Sequence, residues 1–396
     1  MKELVDKYAG KMIAAGLAAD PLVCGLDDEI VWNRADERQS VLEPVLEDMR
    51  SNSLICAAPA EPYQTIIRFL AARGPGPVTP RDCETRTFLH DLPVSRSFTP
   101  GAILEHLKKR KSVIVTGSGG VQVVAFGTVS PEQAFVTFSS VCFSCFVLFF
   151  SDYLARVRAG TATAEEHDAF ARARSLLPAP RQSPPELKTG PFAGAAQVTE
   201  AMIEAGRLTV EYGLVDSYFG NISYRLHDTV FISQTGSSLD ELAGCIDPCP
   251  LDGSSTTGIT ASSELAAHTT IYLRTPSRAI LHGHPKFTVI LSMDCEMTNC
   301  PDRDRCHIRC PRERFIEDIP IVPGEVGTGP TGLCHTLPPA VRERRGAVVW
   351  GHGLFTVGTV DFNEPFRGLL EIENMCREKY FEAVRQAGRE TTTAGR

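Results

Sequence analysis

Apolar and polar positions follow recognisable periods along this chain. MKELVDKYAGKMIAAGL, at the start, puts its apolar side chains on one face of a helix and its charges on the other, which predicts an amphipathic helix. The run Val141 to Phe150 (VCFSCFVLFF) is apolar with few breaks. At about half of the roughly 20 residues that span a bilayer, it predicts a buried helix. Apolar strands such as AILHG and AVVWG alternate with amphipathic helical stretches such as ELAAHTTIYL, a pattern of the α/β class that leaves strand direction open. Between Leu176 and Phe192 five prolines interrupt the pattern. Proline lacks a backbone donor and restricts the residue before it, so 176–192 reads as an interdomain linker between a domain at 1–175 and one at 193–390. The final TTTAGR has nothing apolar to bury and is expected to fray.

The first half reads as a worn copy of the second. RKSVIVTGSGGVQVVAFGTVSPEQAF (110–135) parallels RRGAVVWGHGLFTVGTVDFNEPF (344–366): basic residues, a strand, a glycine pair, a second strand, Gly-Thr-Val and a helix start. Phe135 then matches Phe366, and Cys145 matches Cys376. SLICAAPAEPYQTIIRFLA (53–71) parallels RAILHGHPKFTVILSMD (278–294), and YAGKMIAAGL echoes EAGRLTVEYGL. In this alignment Ser118 replaces His352, Glu61 replaces His284 and Pro59 replaces His282, so the first copy keeps a scaffold without the histidines. Two unrelated α/β domains would share the same strand-turn-helix pattern, and that alternative stays open.

Composition sets outer bounds. A chain of 396 residues with 43% apolar content can bury the cores of two or three domains. Its formal charge of −8, with acids and bases interspersed, argues against nucleic acid as a partner. No charged start, apolar middle and small-residue cleavage site opens the chain. Thirteen cysteines, an odd number, then fit free thiols in a reducing cytoplasm, and neither export nor a membrane is expected.

The candidate chemistry lies in the second half. His282 and His284 stand at i and i+2 on an apolar segment, so on a strand both imidazoles reach one cation. His352 sits between two glycines after another apolar run. Three neutral imidazoles suit zinc or another divalent metal, and three protein ligands leave the open position a catalytic site needs.

Several short motifs around these histidines stand in a characteristic order: GLVDSYFGNISYR (213–225), ISQTGSSLDEL (232–242), SSELAAHTTIY (262–272), HGHP (282–285) and GHGLFTVG (351–358). Through them residues 196–385 resemble the class II aldolase/adducin family of sugar-phosphate aldolases, epimerases and dehydratases. The resemblance implies a three-layer α/β/α domain with a largely antiparallel central sheet, preceded here by the degenerate α/β copy. It implies a zinc-dependent lyase that works through an enediolate on a small hydroxy-carbonyl substrate, in homo-oligomers with sites between subunits. A tandem chain of this kind would form a dimer. Glu264 resembles the family's proton-shuttling glutamate. Asn221, Thr235, Gly236, Ser262 and Ser263 match positions that hold a substrate phosphate. Taken from the residues alone, Glu264 is also an ordinary helix-start acid, GNIS a turn, and Ser262 or Ser263 an N-cap.

Two features depart from the family pattern. An insertion at 294–315 carries Cys295, Cys300, Cys306 and Cys310 in C-x4-C-x5-C-x3-C spacing, with His307 among them. Four thiolates could hold a second metal or an iron–sulfur cluster, but paired C-x2-C knuckles are missing, and reduced loop cysteines or a disulfide fit equally. PGEVGTGPTGLCH is glycine-rich without phosphate-loop spacing. The family's proton-donating tyrosine has no marked counterpart; Tyr380 is a late candidate at a spacing that also fits helix packing. The competing readings are a non-catalytic adducin-like scaffold and a metal or redox sensor built on the cysteines.

Overall fold

The apolar runs become two sheets, one in each of two compact units, the first made of Met1–Pro178 with the chain from Ala387 and the second of Ala179–Gln386. The computed structural model describes residues 1–394 apart from Ser118, Asp216, Ser217 and Thr298; the side chains of Thr257, Asp304 and 390–394 also lie outside the description. The proposed replacement of His352 by Ser118 therefore falls outside the described residues.

In the first unit six strands, β1 (Leu22–Leu26), β2 (Ile30–Trp32), β3 (Ser53–Ala57), β4 (Val94–Ser95), β5 (Ser112–Gly117) and β6 (Gly120–Gly127), form a sheet ordered β2-β1-β3-β6-β5-β4. All its pairs are antiparallel except β4 with β5. Among the described residues seven helices accompany it: α1 (Lys2–Ala14), α2 (Gln39–Met49), α3 (Tyr63–Ala72), α4 (Cys83–Leu89), α5 (Pro100–Leu107), α6 (Pro131–Arg158) and α7 (Ala164–Ser175). α2 and α5 cover one sheet face through Leu42, Val45, Leu46, Ile103 and Leu107. α6 is far longer than the ten-residue apolar run suggested. Its 28 residues have the length and composition to cross a membrane, yet most of them are buried inside this unit. Thr137, Ser140 and Ser144 donate their hydroxyls to backbone carbonyls three or four residues earlier, so polar residues can sit in the apolar helix.

The second unit places α8 (Ala195–Glu211), β7 (Asn221–Leu226), β8 (Thr229–Ser233), β9 (Ile246–Pro250), α9 (Leu265–Arg274), β10 (Ala279–Gly283) and α10 (Lys286–Met293) before the cysteine insertion. After it come β11 (Arg314–Ile316), β12 (Ile319–Val322), α11 (Leu333–Val341), β13 (Gly346–Val349), β14 (Gly353–Gly358) and α12 (Asn363–Ala394). α12 continues through the first four residues of TTTAGR, to Ala394; Gly395 and Arg396 lie outside the description. The eight-stranded sheet runs β11-β12-β13-β14-β10-β7-β8-β9, antiparallel throughout except β12 with β13. One face packs on α9 and α11 through Ala267, Ile271, Tyr272, Leu333, Leu337 and Val341. The other meets α8, α10 and α12, with Leu369 against Gly283 and Gly368 against Thr356. This is the three-layer α/β/α domain with a largely antiparallel sheet that the motifs implied.

The proline-rich stretch has no helix or strand from Leu177 to Ala193. Its latter part is tied to the second unit: the backbone N–H groups of Leu187, Lys188 and Gly190 donate to Asn363, Glu204 and Asp361 at 2.9, 2.7 and 2.9 Å.

The two units share one topology. Setting β1 to β6 against β7, β8, β10, β12, β13 and β14 reproduces both strand order and the sense of every pairing, the lone parallel pair included. Both first helices end at a left-handed glycine, Gly16 and Gly213. The strand register corrects the sequence alignment, however. Ser53 pairs with Gly127 as Ala279 pairs with Gly358, which places Cys56 opposite His282 and Ala58 opposite His284. Pro59 then corresponds to Pro285, and Ala60, Glu61 and Pro62 are extra residues before α3. Matching the Glu-Pro and His-Pro dipeptides had hidden that insertion. Arg38, just before α2, lies the same number of residues ahead of Cys56 as Glu264, just before α9, lies ahead of His282. Arg38 is held by Asp36 and donates to Gln122, whose side-chain oxygen is 3.8 Å from the Cys56 sulfur. An arginine-centred polar network thus stands where the second unit gathers histidines.

Candidate metal centre

β10 and β14 are neighbours, so the residues at the end of one strand meet those at the start of the other. That pairing brings His282, His284 and His352 together: one nitrogen from each ring lies within 4.8 Å of the others, and all three side chains are buried. Glycines make the approach possible. A Cβ on Gly353 would lie 2.5 Å from the Gly283 carbonyl oxygen, 2.7 Å from His282 Cε1 and 2.9 Å from His284 Cδ2. A Cβ on Gly220, which has a φ of 82°, would lie 2.3 Å from the His282 carbonyl oxygen. Gly353→Ala is therefore expected to displace both rings. It should weaken metal uptake in a titration by tenfold or more while costing about 1–3 kcal/mol of stability, the usual range for overpacking. Unchanged uptake would mean the rings do not act as placed.

The histidine protonation states follow from their surroundings. His282 Nδ1 is 3.1 Å from the Leu354 carbonyl oxygen, which can only accept, so Nδ1 carries the proton and Nε2 presents a lone pair. His284 Nε2 faces that lone pair at 3.0 Å. Burial, and then the proximity of the other imidazoles, hold His282 and His284 well below the usual histidine pKa, so both stay neutral and able to ligate. Ring packing limits their rotation: His282 stacks on Phe355 at 3.8 Å between centroids, and His284 on Phe219 at 5.5 Å.

Glu264 completes the cluster. It begins α9, and its buried carboxylate lies 3.5 Å from both His282 Nε2 and His352 Nε2. Asn221 Nδ2 donates to Glu264 Oε2 at 2.6 Å, a contact that follows from the register pairing Asn221 with His282 across β7 and β10. Behind it, Ser223 Oγ bonds both His268 Nδ1 and the Tyr272 hydroxyl at 2.7 Å each. Burial lowers the pKa of His268 to about 3, so it too is neutral.

A divalent cation fits these residues. The donor set is three buried imidazoles and one carboxylate, and buried polar atoms there lack hydrogen-bond partners: Glu264 Oε1, Asn221 Oδ1 and His284 Nδ1. His282, His284 and His352 would hold the ion, with Glu264 beside it.

The predicted anion-binding residues are placed as follows. Thr235 and Gly236 lie on an exposed turn after β8, where Gly236 has a φ of 73°. This turn runs beside 260–262, through Thr235 N–H to the Thr260 oxygen and Ser262 N–H to the Ser233 oxygen. Thr235 Oγ1 donates to the Ala261 oxygen, Ser262 Oγ accepts from Glu264 N–H, and Ser263 is exposed. Tyr380 is fully buried on α12 against Phe287 and Phe381, a packing position. Cys295, Cys300, Cys306 and Cys310 are partly exposed free thiols. Among the described residues only the three histidines converge closely enough to form a metal-holding group. His268, Ser223 and Tyr272 were missed in the sequence; only the i, i+4 spacing of Glu264 and His268 on α9 could have pointed to them.

Fold and donor set together define a layered α/β domain with a buried cluster of imidazoles and a carboxylate at its sheet. Residues 200–380 match the family model of the Class II Aldolase and Adducin N-terminal domain, so the resemblance read from the motifs holds over this segment. No match was found among curated proteins. Similar solved structures include l-fuculose-1-phosphate aldolase from Thermus thermophilus, 24% identical over 51% of this chain and 97% of that one, with a TM-score of 0.36. Another l-fuculose 1-phosphate aldolase is 19% identical over 50% and 98%, with a TM-score of 0.39. A sugar-phosphate aldolase from Thermotoga maritima is 17% identical over 48% and 96%, with a TM-score of 0.36.

Proposed function

We propose that the second unit is the catalytic domain of a metal-dependent, aldolase-type lyase that cleaves or forms a carbon–carbon bond in a small hydroxy-carbonyl compound of the sugar-phosphate kind. The observation that carries this reading is the placing of a buried carboxylate 3.5 Å from two of three clustered, buried imidazoles. A divalent ion held by His282, His284 and His352 supplies Lewis acidity toward a carbonyl oxygen. Glu264 is the group that takes and returns a proton at the carbon beside that carbonyl. Asn221 steers it, because its amide holds Oε2 and leaves Oε1 without a hydrogen bond. The stacked Phe355 and Phe219 keep the imidazoles oriented. Hydroxyls and backbone donors around Thr235, Gly236 and Ser263 suit a phosphate on the substrate.

The first unit is, in this reading, a copy that has exchanged the histidine cluster for the Arg38 network. Its identical strand order and the Cys56 and Ala58 positions support that. A non-catalytic scaffold is the second reading, and it gives no reason to keep Glu264 facing the imidazoles. Turnover decides between them. Protein carrying one divalent ion per chain is expected to release aldehyde from ketose 1-phosphates and to stop when a chelator is added. Metal-loaded protein that cleaves none of a broad hydroxy-carbonyl panel would leave the scaffold reading.

A further inference from the structure

Two ligand histidines are joined to opposite ends of one short helix. His284 precedes α10 directly, through Pro285. A helix start leaves backbone N–H groups without intrahelical acceptors, and Pro285, at the cap position, has no side-chain oxygen to serve them. The acceptor comes instead from α12. Glu373 Oε1 accepts from Phe287 N–H at 2.9 Å, and Oε2 accepts from Thr288 N–H and the Thr288 hydroxyl, each at 2.8 Å. A carboxylate there also suits the positive end of the helix dipole.

At the other end of α10, Ser292 is fully buried. Its hydroxyl donates to the Val289 carbonyl at 2.7 Å and accepts the Gly351 N–H at 2.8 Å. Gly351 has a φ of 59°, in the left-handed region, and directly precedes His352. The same helix therefore holds the backbone beside both His284 and His352, by contacts 86 and 59 residues apart in sequence.

We propose that Glu373 and Ser292 are positioning residues that act through α10 to fix His284 against His352, so that the three imidazoles are set for an ion before it arrives. This rests on the metal-centre reading above. Neither residue belongs to the group that would hold the ion. Groups that orient metal ligands commonly change affinity by 10–100-fold when removed.

Cobalt(II) alone serves as the probe, added to metal-free full-length protein while binding and the visible absorption of the bound ion are recorded. Ser292→Ala should bind at least about tenfold more weakly, with a shifted absorption band, and Ser292→Thr, which keeps the hydroxyl, should restore both. Glu373→Gln, which loses acceptor capacity at the helix start, should weaken binding in the same direction. Thr209→Val is the control, because it removes a buried hydroxyl whose bond, to the Ala205 carbonyl, stays within α8. It should bind as wild type does. Melting curves of the metal-free proteins keep a folding defect from being read as a binding one. Wild-type affinity and spectrum in Ser292→Ala and Glu373→Gln would overturn the positioning role while leaving the centre standing. A Thr209→Val loss equal to that of Ser292→Ala would also overturn it. A wild type that takes up no cobalt would overturn the centre itself, and the proposal with it.

Discussion

Replacing His282 and His352 together by alanine is expected to lower bound metal from about one ion per chain to near zero, since one imidazole cannot hold a divalent ion tightly. Turnover should fall by at least about three orders of magnitude, the equivalent of roughly 4 kcal/mol of electrostatic stabilisation at the reacting carbonyl. The two rings lie in the buried core of the cluster, so the metal-free melting temperature of the double variant must be compared with that of metal-free wild type. Elemental analysis of protein purified without added metal or chelator is the direct measurement. Metal that survives the double change belongs to other ligands, and the thiols at Cys295, Cys300, Cys306 and Cys310 would then be the residues to examine.

Glu264→Gln separates binding from chemistry. The glutamine oxygen can still accept from Asn221, and the three imidazoles are untouched, so metal content should stay at the wild-type level. The amide cannot take up the proton that the proposed reaction assigns to the carboxylate, and kcat should drop by about 10²–10⁴. KM should move far less. Equal kcat in the variant and wild type would remove Glu264 from proton transfer and make it a neighbour of the ligands only. Loss of metal in Glu264→Gln would instead show that the carboxylate helps to hold the ion.

Much of this site was legible along the chain. The i, i+2 spacing of His282 and His284 asked for a strand to bring both rings to one side, and β10 carries His282 with His284 just past its end. The glycines flanking His352 were legible as such, but the close approach of Gly353 to His282 and His284 came only with the structure. Glu264 stood at a helix start, where acids are common, so its position facing the imidazoles came only from the packing of α9 on the sheet. Asn221 was legible as a motif residue, but its bond to Glu264 depends on the β7–β10 register. The length of α6 was not legible, because Thr137 and Ser140 look like interruptions until their hydroxyls return to the helix's own carbonyls.

The sequence by itself determined what rests on short-range periodicity and local backbone chemistry: the alternation of strands and helices, the break at the prolines, the paired histidines and the order of the family motifs. Only the tertiary structure decided which residues are partners across long stretches of chain. Glu373 caps α10, Ser292 holds Gly351, and Cys56 rather than Pro59 stands at the position of His282. Such contacts are set by sheet register and layer packing, which depend on all the elements at once. No local pattern encodes them, because a shift of one strand by a single residue would turn every side chain on it to the opposite face.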